Sequence, residues 1–192
     1  MPTNKAGWEI LSEELAAKFK IFEARRSTRR NPRTGLPFEF FLMRGLNWVN
    51  VIPLTPDNKV VLVRQYRHGS EEYTIETPGG CVEKEEHPEE SARRELVEET
   101  GFECARLKKL GLLYPNPAMQ SMQLHVYVAE ECRKISAPAL DPGEDITIEL
   151  QDLSKVIDMI AAGTISHALV VAAFALFQLQ HAGPRSHLKN GS

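Results

Sequence analysis

The stretch that most constrains this chain runs from Gly80 to Phe102, GCVEKEEHPEESARRELVEETGF. Pro88 suits the first turn of a helix, Glu89 and Glu90 suit its positive end, and Gly101 is placed to stop it. On a helix, Glu95, Glu98 and Glu99 fall at i, i+3 and i+4 and share one face. Like charges at that spacing repel by roughly 0.2–0.5 kcal/mol per pair even when exposed. Such a face is tolerable in water and favourable only beneath a cation. An all-oxygen donor set suits a hard ion, magnesium or manganese, rather than zinc. Thr77-Pro78-Gly79-Gly80 precedes the helix and reads as a tight turn bringing backbone carbonyls near such an ion. Arg94 can orient the carboxylates through a forked, charge-assisted hydrogen bond.

Gly80, Glu86, Arg94, Glu95, Leu96, Glu98, Glu99, Gly101 and Phe102 occupy every fixed position of G-x5-E-x7-R-E-U-x-E-E-x-G-U, where U is bulky and apolar. The segment therefore resembles the signature of the Nudix hydrolases. The box spans a small part of the 192 residues, but its spacing is highly specific.

The resemblance implies hydrolysis of a nucleoside diphosphate linked to a further group. It implies Glu95 and Glu99 as main metal ligands, Glu98 as a ligand or sharer of an ion, and the Gly79 carbonyl as another ligand. Arg94 would hold the carboxylates, and Glu86 would anchor its loop or reach a second ion. Outside the box, VRQYRHG (Val63 to Gly69), ETPGG (Glu76 to Gly80) and Pro117 are similar to the branch that cleaves ADP-ribose and nucleoside diphosphate sugars. There Arg67 would approach the substrate phosphates, with Arg64 a further candidate, and Trp48 a candidate to stack the base alongside Trp8, Phe38, Phe40 and Phe41. Each of these aromatics taken alone reads as core. The base in that branch comes from a late acidic loop, and DPGED makes Glu144 the first choice, with Asp145 and Glu149 left open. The turn reads PGG where many sugar-nucleotide relatives have PAG.

The order of apolar runs gives an α+β chain resembling the Nudix fold, an α/β/α sandwich with a mixed β-sheet and an N-terminal β extension. The divisions expected are 1–45 for the extension, a candidate dimerisation element with strands possibly exchanged between subunits, 46–180 for the Nudix domain, and 181–192 for a disordered tail. A helix over Glu13 to Phe19 is an alternative to strand there. The basic segment RRSTRRNPRTG, with Arg25, Arg26, Arg29, Arg30 and Arg33, reads as a solvated hairpin tip, a phosphate-facing element or a nucleic-acid patch. His125, alternating within LHVYVA, reads as structural.

A net charge of −3 argues against a nucleic-acid partner for the whole chain. Cys81, Cys104 and Cys132 show no metal spacing and fit reduced thiols. MPTNK lacks an apolar leader core and no run is long enough to span a bilayer, so a cytoplasmic enzyme without a membrane partner is expected. The expected activity is magnesium- or manganese-dependent cleavage of a nucleotide sugar by a homodimer. The alternatives are a house-cleaning nucleoside triphosphate pyrophosphatase and a non-catalytic nucleotide-sugar sensor.

Overall fold

The computed structural model describes residues 7–181, so the expected tail lies, from residue 182 onward, outside the described residues. The chain divides into two units, one of residues 1–47 with 114–123, the other of 48–113 with 124–192.

In the first unit, β1 (Glu9–Lys18), β2 (Phe22–Arg30) and β3 (Pro37–Gly45) form an antiparallel sheet in that order. The helix considered at Glu13 to Phe19 is absent, because β1 pairs with β2 along its length and that pairing overrides local propensity. The arginines lie along β2 rather than at a hairpin tip; only Arg33 falls in the turn. They are not a free basic patch. Arg25, Arg29 and Arg44 converge on Glu13, Arg26 pairs with Glu14 and Glu39, and Arg30 pairs with Glu9. Residues 114–123 join this unit through Met43, whose N–H donates to Met119 O at 2.7 Å and whose carbonyl accepts from Ser121 N–H at 3.1 Å.

In the second unit, β4 (Trp48–Pro53) is followed by the hairpin β5 (Lys59–Arg67) and β6 (Glu72–Glu76), then by α1 (Pro88–Thr100). After it come β7 (Phe102–Glu103), β8 (Arg106–Leu113), β9 (Leu124–Glu130), β10 (Arg133–Lys134), β11 (Ile146–Asp152), α2 (Leu153–Ala161) and α3 (Ala168–His181). One sheet runs β4-β9-β8 with β4 and β9 parallel, and another runs β11-β5-β6. β7 pairs separately with β10.

Strand alternation sorts the core into two layers. Ile52, Val60, Leu62, Leu124, Val126 and Val128 pack with Val156 of α2 and Phe174 of α3. Their neighbours Val49, Val51, Val61, Tyr127 and Ala129 pack with Ala92 and Leu96 of α1. The result is a mixed sheet assembly between helices, as the order of elements implies. Among the described residues, no helix is long and apolar enough to cross a membrane.

Candidate active site

α1 is fixed at both ends by local chemistry. His87 is its N-cap, accepting from Glu89 N–H, and the Glu90 carboxylate accepts in turn from the His87 N–H in a capping box. Pro88 opens the helix, and Gly101 closes it at φ 72, with its N–H on Val97 O at 2.7 Å. The last turn carries acidic side chains and no basic one, contrary to what the helix dipole favours.

Arg94 is the hub of that acidic surface. Its Nη1 donates to Glu95 Oε1 and to Glu98 Oε2, both at 2.9 Å. Its Nε and Nη2 fork onto the two oxygens of Glu86, each at 3.0 Å, and Nη2 also reaches Cys81 O at 3.2 Å. Glu86 accepts further from Ser91 Oγ at 2.5 Å and from Glu83 N–H at 3.3 Å. Of its two readings, the loop anchor is the one this geometry favours, since both oxygens are engaged. Arg94, chiefly, and Ser91 hold the Glu86 carboxyl down at about 2.

The glycine segment departs from the tight turn read in the sequence. Residues 78–80 lie extended against β4: Val51 N–H donates to Pro78 O and Val49 N–H to Gly80 O, both at 2.9 Å. That alternation turns the Gly79 amide and carbonyl away from β4, and the amide donates to Glu99 Oε2 at 2.9 Å. Glycine is required here by close approach rather than by a left-handed backbone. A Cβ on Gly79 would strike Val49 O, and one on Gly80 would strike the Glu95 carboxylate, its Cδ only 2.5 Å away.

Glu99 is the buried member of the acidic face. Its carboxyl is pushed up to about 8, first by burial and then by the charges of Glu95 and Glu144, against the opposing Gly79 amide. Burial also raises Glu95, against the attraction of Arg94. Among the described residues, no three acidic, histidine or cysteine side chains converge as a ready metal cage, because the carboxylates turn to Arg94 and the Gly79 amide. The donor chemistry nevertheless fits a hard divalent ion. A nearly desolvated carboxylate, two more beside it and a carbonyl facing away from β4 are oxygen donors whose charge a cation would relieve.

Beside this face, Arg67 forks onto Glu76 with Nε and Nη2 both at 2.6 Å. Burial pushes the Glu76 carboxyl up, but the bonds from Arg67 and Thr74 outweigh it and hold it low. Arg67 also feels the charges of Glu99 and Glu144, so one charge neighbourhood includes helix, strand and acidic loop.

The sequence model of the NUDIX domain matches residues 46–174. This chain belongs to the Nudix family. Among its relatives, the "Methanol dehydrogenase activator" of Bacillus methanolicus is 36% identical over 73% of this chain and 77% of that protein. The "ADP-ribose pyrophosphatase" of Bacillus subtilis is 31% identical over 70% and 73%. The "GDP-mannose pyrophosphatase" of Escherichia coli O1:K1 is 35% identical over 64% and 68%. A solved structure described as an ADP compounds hydrolase superposes with a TM-score of 0.81 at 25% identity, covering 92% of this chain and 95% of that one.

The other residues singled out from the sequence are divided between the two units. Glu144 lies close enough to bear on Glu95, Glu99 and Arg67, while its own carboxylate accepts from Asp141 N–H at 2.9 Å. Asp145 instead faces Tyr73 Oη at 3.4 Å. Glu149 pairs with Leu62 in register, on the face away from α1. Arg64 shares that far face through its partner Ile75, and its guanidinium stacks on Tyr73 at 4.8 Å. Strand alternation therefore separates Arg64 from Arg67. Trp48 is half-buried, packing against the α2–α3 layer and bridging to Cys81. Pro117 belongs to the unit built around the N-terminal sheet, where Trp8 also sits edge-on to Phe38 and Phe40.

Glu76 and Ser91 carry site contacts that the sequence reading did not assign. Glu76 is visible in ETPGG, but its burial against Arg67 depends on the β5–β6 register. Ser91 is one helical turn from Arg94 and has no signature of its own.

Proposed function

We propose that this chain hydrolyses the pyrophosphate bond of nucleoside diphosphate sugars of the ADP-ribose, ADP-glucose or GDP-mannose type, releasing a nucleoside monophosphate and a sugar phosphate. The observation that carries this is the acidic face of Glu95, Glu98 and the buried Glu99 against Gly79–Gly80, organised by Arg94. The similarity to an ADP-ribose pyrophosphatase and a GDP-mannose pyrophosphatase supports the substrate class.

Glu95, Glu98, Glu99 and the Gly79 carbonyl would hold magnesium or manganese. When bound, the ion supplies charge neutralisation on the pyrophosphate oxygens. Arg94 positions the carboxylates, and its own place is set by Glu86. Arg67 presents its remaining N–H groups to phosphate while Glu76 holds the guanidinium plane. Glu144 accepts the proton of the attacking water from a loop whose charge already reaches Glu99.

The test is phosphate release from a panel of nucleotide sugars and nucleoside triphosphates with phosphatase and magnesium added. Hydrolysis of nucleotide sugars, lost in Glu99→Gln and sharply reduced in kcat with KM kept in Glu144→Gln, is the expected result. Turnover of triphosphates alone would replace the substrate class with the house-cleaning alternative. Tight binding without turnover would make the protein a sensor. The similarity to a methanol dehydrogenase activator favours a second reading, in which this chain stimulates a dehydrogenase; addition to such an enzyme with and without Glu99→Gln separates the two.

A homodimer built through the N-terminal sheet belongs to the same proposal. Ile10, Leu15, Phe38 and Phe41 of that unit are exposed, and apolar surface of this kind is commonly covered by a partner. A monomer by light scattering would remove it.

A further inference from the structure

Cys104 and Cys132 lie in a gap between two paired segments that share one register. On one side Phe102 opposes Lys134 and Glu103 opposes Arg133; on the other Arg106 opposes Glu130 and Leu107 opposes Ala129. The same offset on both sides sets Cys104 opposite Cys132. The Ile135 N–H donating to Gly101 O at 2.8 Å fixes the phase of the ladder. Counting by alternation, Glu103 and Arg133 form a hydrogen-bonded pair, and the next position brings Cys104 beside Cys132, where the ladder is interrupted by Glu131 at φ 55 and by the Ala105 N–H donating to Glu130 O at 3.1 Å. Accordingly the Cys132 N–H is directed elsewhere, to Leu54 O at 2.8 Å. The Cα atoms of a regular non-hydrogen-bonded pair approach to about 4.5 Å with side chains on one face, and a disulfide tolerates a wider span than that, which leaves room for the interruption at Glu131.

Both side chains enter the same buried cluster beneath α1, and both are free thiols. Cys104 Sγ accepts from Arg93 Nη1 at 3.4 Å, and Cys132 Sγ donates to Ala129 O at 3.4 Å. Cys81 is set apart, bridged to Trp48 at the start of β4.

We propose that Cys104 and Cys132 are a reversible dithiol–disulfide pair that staples the β7–β10 ribbon behind the C-terminal end of α1. This is independent of the activity proposed above. The ribbon has only two residues in each strand, so it opens at small cost and admits an oxidant. Cys104 is the entry point. Its thiol is raised by burial, but Arg93 opposes the shift, whereas burial and then Cys104 push the Cys132 thiol up to about 12.

The oxidant is a small disulfide. Cys104 thiolate attacks one of its sulfurs, expelling one thiolate and leaving a mixed disulfide. Cys132, deprotonated as the ribbon opens, then attacks Cys104 Sγ and expels the second thiolate. Two protein thiols lose two protons and two electrons, and the oxidant gains them as two thiols. The new bond ties Gly101–Cys104 to Cys132–Ser136, the segment whose amides already bond Gly101 O.

The test uses the full chain carrying Cys81→Ser, equilibrated across a reduced-to-oxidised glutathione series, quenched in acid and alkylated in denaturant. The expected result is joint loss of both remaining thiols in one transition, a two-hydrogen loss in intact mass and a peptide linking Cys104 to Cys132. The thermal midpoint should rise by roughly 5–10 °C and return on reduction. Adding Cys132→Ser should leave Cys104 with a glutathione adduct instead of a link. Should that variant not fold, the wild-type titration read by peptide mapping decides alone. Two thiols that stay alkylatable at the oxidised end of the series, even in mild urea, would overturn the proposal. So would separate glutathione adducts on each thiol.

Discussion

Glu99→Gln in metal-free protein should raise stability, and by an amount that depends on pH. Glu99 is nearly buried, and its carboxyl is pushed from the ordinary 4.5 to about 8, mainly by burial. Below about pH 4.5 the group is protonated in both folded and unfolded chains and carries no penalty. Between about pH 4.5 and pH 8 the folded chain keeps a proton that the unfolded chain releases, so stability falls as pH rises. The penalty reaches about 3 kcal/mol near pH 7 and about 5 kcal/mol above pH 8. Glutamine removes the charge while its carbonyl oxygen can still accept from Gly79 N–H. With a chelator present, the variant should therefore melt above wild type by roughly 6–12 °C near pH 7, the gap closing toward pH 5. Divalent cation should reverse the order, stabilising wild type and not the variant. Thermal unfolding of both proteins across this pH range, with chelator and with manganese, is the assay. A variant that melts below wild type by the same margin at every pH would refute the burial argument.

Gly80→Ala should lower kcat at least tenfold with little change in melting temperature, because the added Cβ displaces the Glu95 carboxylate; steady-state kinetics beside thermal melts check it. Arg94→Lys keeps the charge but loses the fork onto Glu86, and should destabilise by about 2 kcal/mol and weaken manganese binding, read by denaturant melts and metal titration. Glu86→Gln should flatten the acid limb of stability, since a carboxyl held at about 2 contributes above its ordinary value and loses that contribution as pH falls from about 4.5 toward 2. Arg67→Ala should destabilise by about 3 kcal/mol by leaving the buried Glu76 with only Thr74 and, at 3.8 Å, His167 beside it, and adding Glu76→Gln to it should recover much of that loss in urea melts.

The acidic face was readable from residues alone because its logic is local. Pro88, Gly101 and the spacing of Glu95, Glu98 and Glu99 specify a helix and one side of it. Glycine is more ambiguous: Gly79 and Gly80 fit equally a turn that needs a left-handed backbone and a strand pressed against neighbours. Only the contacts with Val49 and Glu95 distinguish the two. The roles of Arg64 and Arg67 depend on which face of β5 each occupies, and the apolar run before them carries no parity because both faces are buried. Pairing across strands was equally hidden. The arginines of β2 look like a basic surface in sequence, yet they meet Glu9, Glu13, Glu14 and Glu39 from adjacent strands. The segment 114–123 reads as a connector within the main fold, and only the bonds to Met43 assign it to the other unit.

The last turn of α1 is locally frustrated, with carboxylates where the backbone dipole asks for lysine or arginine. Selection for thermal endurance and selection for turnover therefore pull in opposite directions at Glu98 and Glu99. A library screened on heat resistance alone, without divalent cation, would drift toward neutral or basic residues there and enrich well-folded, inert proteins. Including manganese in the same screen would reward the acidic turn, because only then does the folded state regain what the helix forgoes.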